Sequence, residues 1–222
     1  MSGVERILIN LPSSNGSDVQ LVSAADPRYR LSFTMGGLLV REALQTLPLW
    51  QTLRDWNAVR AEVMRSNSLQ QRTLQSRRTL SGEVVARLSE LSEGELDLLD
   101  SGSSQERAQL MWAAACRRYL LIAEFAEDVV RERHLLLIST LSLTDFDTFL
   151  LGRSMWHEEL GALTLSTKRK LRQNTFRMLR EAGLIDGAGL IISTTLTPRI
   201  DALLSARSPS DTRYFPTPVV SE

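Results

Sequence analysis

The sequence predicts an all-α protein whose C-terminal part is a small winged-helix portion carrying a short β-hairpin. Three observations lead there. Apolar residues recur at helical intervals through the middle of the chain, bracketed by helix-start and helix-stop residues. A cationic amphipathic segment, STKRKLRQNTFRMLREAG, begins at Ser166. Directly after it comes LIDGAGLIIS, two short apolar runs joined by Asp186, Gly187, Ala188 and Gly189. That composition suits a tight hairpin whose glycines take positive φ.

The spacing divides the chain into a flexible arm over 1–27, a helical body over 28–140, a winged-helix-like region over 141–206 and a flexible tail over 207–222. From Pro12 to Asp26 the residues are mostly Ser, Asn, Gly and Asp, with few apolar anchors. The short ILIN run follows Glu5 and Arg6 and has no small-residue cleavage pattern behind it, so no signal peptide is expected. Thr34 is placed to cap MGGLLVREALQTL, and Pro48 to stop that helix or open the next, LWQTLRDWNAVRAEVMRSN. In the second, Trp56, Val59, Val63 and Met64 share a face, and the two helices are expected to form an antiparallel pair. Ser92 with Glu95, and Ser103 with Glu106, have the capping-box spacing and start separate helices. Further helical turns follow in LLIAEFAEDVVRERHLL. Thr144 with Asp147 gives a weaker start for DFDTFLL, which Gly152 ends. The short helix MWHEELGAL then leads to Ser166, the expected N-cap of a helix over 167–182. In that helix Leu171, Met178, Leu179 and Ala182 form the apolar stripe, and Gly183 is the stop. In the tail, three prolines and few periodic apolar positions argue against a helix.

The chain has 222 residues, with 26 Lys plus Arg against 26 Asp plus Glu. Any electrostatic function is therefore local. Between Thr167 and Arg180 every charged residue is basic. Lys168, Arg169 and Lys170 fall in the first helical turn, where cations oppose the macrodipole, so the placement suits an anionic partner better than helix stability. Helical projection turns Arg169, Lys170, Gln173, Arg177 and Arg180 away from the apolar stripe. Helix, turn, basic helix and wing together suit double-stranded DNA. Arg169, Gln173 and Arg177 are expected in the major groove, Lys168, Lys170 and Arg172 on phosphates. Thr167 marks the helix start, and Gly187 and Gly189 bring the wing to the backbone. A secondary basic patch is formed by Arg72, Arg77 and Arg78, although Arg77 projects close to the apolar side of its helix and reads first as structural. The acids Glu90, Glu93, Glu95, Asp97 and Asp100 that follow suit a solvated face or a basic protein partner.

Enzymatic readings lack their parts. Two histidines, His134 and His157, and a single cysteine, Cys116, show no CxxC or HxxxH spacing, so no metal or other cofactor is expected. Cys116 lies in an apolar run, reads as a packing residue and is compatible with a reducing cytoplasm. Ser154, His157 and Asp145 or Asp147 make a triad only on paper, without a nucleophile elbow. Gly36 and Gly37 have no phosphate-loop lysine behind them. The tryptophans Trp50, Trp56, Trp112 and Trp156 read as packing anchors. No apolar run approaches the roughly 20 residues that span a bilayer. A cytoplasmic protein with no membrane contact and no small-molecule substrate is expected.

The blocks YRLSFTMGGLLVREAL, WNAVRAEVMRSN, MWAAACRRYLLIAEFAEDVVRER, FDTFL and STKRKLRQNTFRMLREAGLI together resemble the BrxA family of bacteriophage exclusion (BREX) defence systems, over about Tyr29 to Leu204. The resemblance implies an accessory component of phage restriction without assigned enzymatic activity. It also implies a helical body like that of the NusB antitermination protein, and binding of double-stranded DNA. Other BREX components are implied as partners, RNA is an alternative one through the NusB likeness, and a second alternative is a protein–protein adaptor within the BREX complex whose basic helix meets an acidic protein surface. No family catalytic residues carry over.

Overall fold

The computed structural model describes residues 28–33 and 36–218. Thr34, the expected first cap, lies outside them, as does the arm over 1–27. The fold is mainly helical, built on one continuous apolar core that runs from Tyr29 and Phe33 to Tyr214 and Phe215. The first helix, α1 (Val40–Leu53), runs straight through Pro48, contrary to the expected stop. The break falls instead at Arg54, with φ 50°, followed by Asp55. The Asp55 carboxylate accepts the N–H groups of Asn57 and Ala58 at 3.1 and 3.2 Å and so opens α2 (Trp56–Ser66). The Trp50 and Trp56 rings stack across the junction, 3.9 Å apart and 8° from parallel. A proline removes one helical hydrogen bond, and side-chain packing on both sides of it outweighs that local loss.

Next come α3 (Leu74–Leu88), α4 (Glu93–Ser101) and α5 (Ser104–Arg118), the last two each opened by a complete capping box. At α5 the Ser103 hydroxyl accepts from Glu106 N–H at 3.2 Å, while the Glu106 carboxylate accepts from Ser103 N–H at 2.8 Å. Glu106 also accepts from Thr197 and Arg199, which ties the start of α11 (Pro198–Ser205) to α5. Ser103→Ala is expected to lower stability by about 1 kcal/mol, read as a shift of the urea midpoint at unchanged slope. Tyr119 breaks the helical run, after which α6 (Leu120–Phe125), a π-helical stretch (Ala126–Arg131) and α7 (Glu132–Leu135) follow without interruption.

The core holds a polar network. Arg87, fully buried, donates to Glu83 and, at 2.7 Å, to the Gly37 carbonyl. The Tyr119 hydroxyl also donates to Glu83. Burial, reinforced by the Glu83 charge, pushes that hydroxyl up to about 12, so it remains a donor.

In the C-terminal part, α8 (Leu143–Ser154) starts earlier than Thr144 suggests, because Asp145 reaches back to Ser142 N–H at 2.7 Å, and Gly152 lies inside the helix. After α9 (Glu158–Gly161) comes α10 (Leu165–Glu181). The expected β-hairpin of the winged helix is not formed. Among the described residues there is no strand, only isolated antiparallel bridges between Thr140 and Leu190 and between Ile185 and Ile191. The two arms of the turn pair only briefly, Asp186 N–H donating to the Leu190 carbonyl at 3.0 Å and Ile192 N–H to the Leu184 carbonyl at 2.9 Å. The Asp186 carboxylate accepts from Ala188 and Leu190 N–H, both at 2.8 Å, and the 139–141 segment pairs with Gly189 and Ile191.

The tail expected over 207–222 is packed as far as it is described. Trp112, fully buried, donates its indole N–H to the Tyr214 carbonyl at 3.0 Å, and Phe215 is buried beside it. Proline-rich composition hides such anchors, because two adjacent aromatics leave no periodic pattern.

Candidate nucleic-acid interface

The cap of helix α10 lies two residues before the expected Ser166. Thr164 is the N-cap and accepts from Thr167 N–H at 3.2 Å. Leu171, Thr175, Phe176, Met178 and Leu179 are buried, and Gly183 follows the helix with φ 72°. The opposite face carries Arg169, Lys170, Gln173, Arg177 and Arg180, all exposed, with Lys168 and Arg172 half-buried.

The cations of this face fall into two groups. Arg172 is paired with Asp147 of α8, and its Nε is buried without a partner among the described residues. It links α8 and α10. Arg177 donates to Glu181 at 2.7 Å, and Glu181 also accepts Leu38 N–H at 2.6 Å, so this pair holds the chain leading into α1. Lys168, Arg169, Lys170 and Arg180, in contrast, have no acidic partner among the described residues. With the helix starting at Leu165, Lys168 closes the first turn of α10 and Arg169 and Lys170 open the second, so only Lys168 sits where the helix dipole clearly disfavours a cation.

The turn after α10 is divided in the same way. Gly187 is exposed, with open space around its Cα. Gly189 is buried with φ 87°, and a Cβ there would sit 2.5 Å from the Leu141 carbonyl oxygen, so the turn packs there only with glycine. In the secondary patch Arg72 and Arg78 are exposed, while Arg77 is half-buried and donates to the Gln71 carbonyl at 3.2 Å.

Sequence reasoning missed how the chain ahead of α1 crosses α10. Asn174 donates to the Phe33 carbonyl at 2.9 Å, and a Cβ on Gly36 would meet the Asn174 side chain at 2.2 Å. Gly36 therefore serves this crossing. Beside it lies a groove of about 730 Å³ lined by Gly37, Arg41, Gln71, Arg177 and Glu181 among others. Gly36 with Gly37 was the only local signal for it.

The paper triad is not assembled. Ser154 Oγ donates to the Leu151 carbonyl, Asp145 and Asp147 are paired with Arg133 and Arg172, and His157 is buried against the Tyr29 ring at 4.5 Å. Among the described residues, no group of three or more His, Cys, Asp or Glu could hold a metal ion, and no helix is long and apolar enough to cross a membrane.

Comparison with known proteins gives one curated relative and one solved structure of note. A protein of Escherichia coli O9:H4 (strain HS) described as "BREX protein BrxA" is 24% identical over 151 residues, 68% of this chain and 71% of that one. The crystal structure of an uncharacterized protein from Magnetospirillum magneticum matches with a TM-score of 0.73 at 22% identity, over 86% of this chain and 99% of that one, a likeness of fold. The family model described as BrxA matches residues 27–208. This chain belongs to the BrxA family.

Proposed function

We propose that the protein is a non-enzymatic accessory component of a BREX phage-defence system that binds double-stranded DNA in the cytoplasm. The observation that carries the DNA reading is the outer face of α10, where Lys168, Arg169, Lys170 and Arg180 have no acidic partner among the described residues of a chain of zero net charge. Four exposed or half-buried cations on one face without acids to pair them are what a phosphate backbone would satisfy.

In this reading α9, the tight connection at 162–164 and α10 act as a helix-turn-helix, and the bridged turn at 185–191 takes the place of a wing. Arg169 and Gln173 face the major groove, Lys168, Lys170 and Arg180 meet phosphates, and Arg177 joins them only if it exchanges Glu181 for phosphate. Most of these contacts are to the backbone, so the sequence preference is weak.

A duplex mobility shift tests the reading. With about three to four phosphates neutralised, log affinity is expected to fall with log salt at a slope of about −3 to −4. A flat salt response ends the proposal, and so does a structured RNA of equal length that outcompetes the duplex.

A further inference from the structure

Helix α8 and the start of α10 leave between them a groove of about 430 Å³. Its apolar wall is Leu150, Leu151 and Leu165, and its far rim carries Lys168 and Arg169. Leu150 is buried, but Leu151 and Leu165 are 67% and 74% exposed. Met155, which follows α8 one turn after Leu151, is a further large apolar side chain and is 76% exposed. Single exposed leucines are ordinary, whereas a run of large apolar side chains along one edge marks a surface that another molecule covers.

Charge narrows the choice of that molecule. The one acid lining the groove, Asp147, is already paired with Arg172, so the unpaired charge on the rim is positive. The N-terminal end of α10 adds its own partial positive charge. A nucleic-acid backbone would satisfy the cations but gives Leu151 and Leu165 nothing to pack against. A protein segment with one apolar and one acidic face satisfies both, and a groove between helices suits a helix laid into it.

We propose that this groove docks an acidic amphipathic segment of a partner protein, its apolar side chains on Leu151 and Leu165 and its carboxylates on Lys168 and Arg169. The docking does not depend on the DNA reading. It shares Lys168 and Arg169 with it, so the segment and a duplex exclude each other at the first turn of α10.

The test uses the full chain and a fluorescein-labelled synthetic helical peptide with leucines at i, i+3, i+4 and i+7 and glutamates elsewhere, alongside its lysine counterpart. Fluorescence anisotropy is expected to show binding of the glutamate peptide only. Leu151→Ser, and separately Leu165→Ser, should weaken it by about tenfold or more. Both side chains are exposed, so melting curves should stay unchanged, and duplex affinity should stay within about twofold of the parent. Unlabelled duplex should displace the peptide. Peptide binding by a protein that shifts no duplex would support the groove and end the DNA reading alone. Equal binding of both peptides, or serine variants that bind like the parent, would overturn the proposal.

Discussion

Arg117→Ala is expected to destabilise the protein by about 3–5 kcal/mol, much of what holds a domain of this size together. Arg117 is nearly buried where α4, α5 and the C-terminal chain meet. It holds the Glu95 carboxylate through two nitrogens at 2.5 and 2.9 Å, Asp211 at 2.6 Å and the Glu90 carbonyl at 2.8 Å. Both acids are buried. Removing the guanidinium strands two carboxylates, and that exceeds the cost of the lost attraction. Burial opposes ionisation of Glu95, but the hydrogen bonds from Arg117 and Ser92 outweigh it and hold the carboxyl below its ordinary 4.5. A carboxyl lowered in this way stabilises the fold above pH 4.5, and the contribution is lost as pH falls through its folded value. Without Arg117 only burial and weaker partners remain, so the loss should be larger at pH 7 than at pH 4. Urea unfolding of Arg117→Ala at both pH values checks this. A triple variant with Arg117→Met, Glu95→Gln and Asp211→Asn should recover most of the stability, since it leaves no buried charge unpaired.

The elements legible in the sequence are those that local chemistry decides. The capping boxes at Ser92 and Ser103 join a hydroxyl and a carboxylate three residues apart, and both helices start there. The amphipathic stripe of α10 was equally plain, yet its cap was misplaced because Thr164 and Ser166 are both good caps and neither has an acid three residues on to decide between them. Pro48 misled because its penalty is local, whereas the stacked Trp50 and Trp56 rings that support the helix are visible only once the chain has folded. The turn after α10 is legible in Asp186 and its glycines, and its arms meet at Ile185 and Ile191, but the pairing stops at that one bridge, and the 139–141 segment that bonds Gly189 and Ile191 lies some fifty residues earlier in the chain. In the basic face the Arg177–Glu181 pair has ordinary i,i+4 spacing and was readable. The Arg172–Asp147 pair spans two helices, and no local pattern reports it.

That division of the cations leads to the most discriminating expectation for function. Arg169→Glu with Lys170→Glu should weaken duplex binding by about a hundredfold or more at 50 mM salt and lower the magnitude of the log-log slope by about one, through Lys170. The same substitutions place acids in the second turn of α10, where the dipole favours them only weakly. Neither residue has an acidic partner to lose. The double variant should therefore bind less while melting at the same temperature as the parent or slightly higher, a combination that damage to the fold cannot produce. Arg172→Gln gives the opposite control. It breaks the pair with Asp147 and is expected to lower stability by up to about 1 kcal/mol, while the salt slope stays that of the parent. A double variant that binds duplex as the parent does would remove α10 from the interface, and a loss of binding equally large in Arg172→Gln would show that helix placement, not free charge, governs the contact.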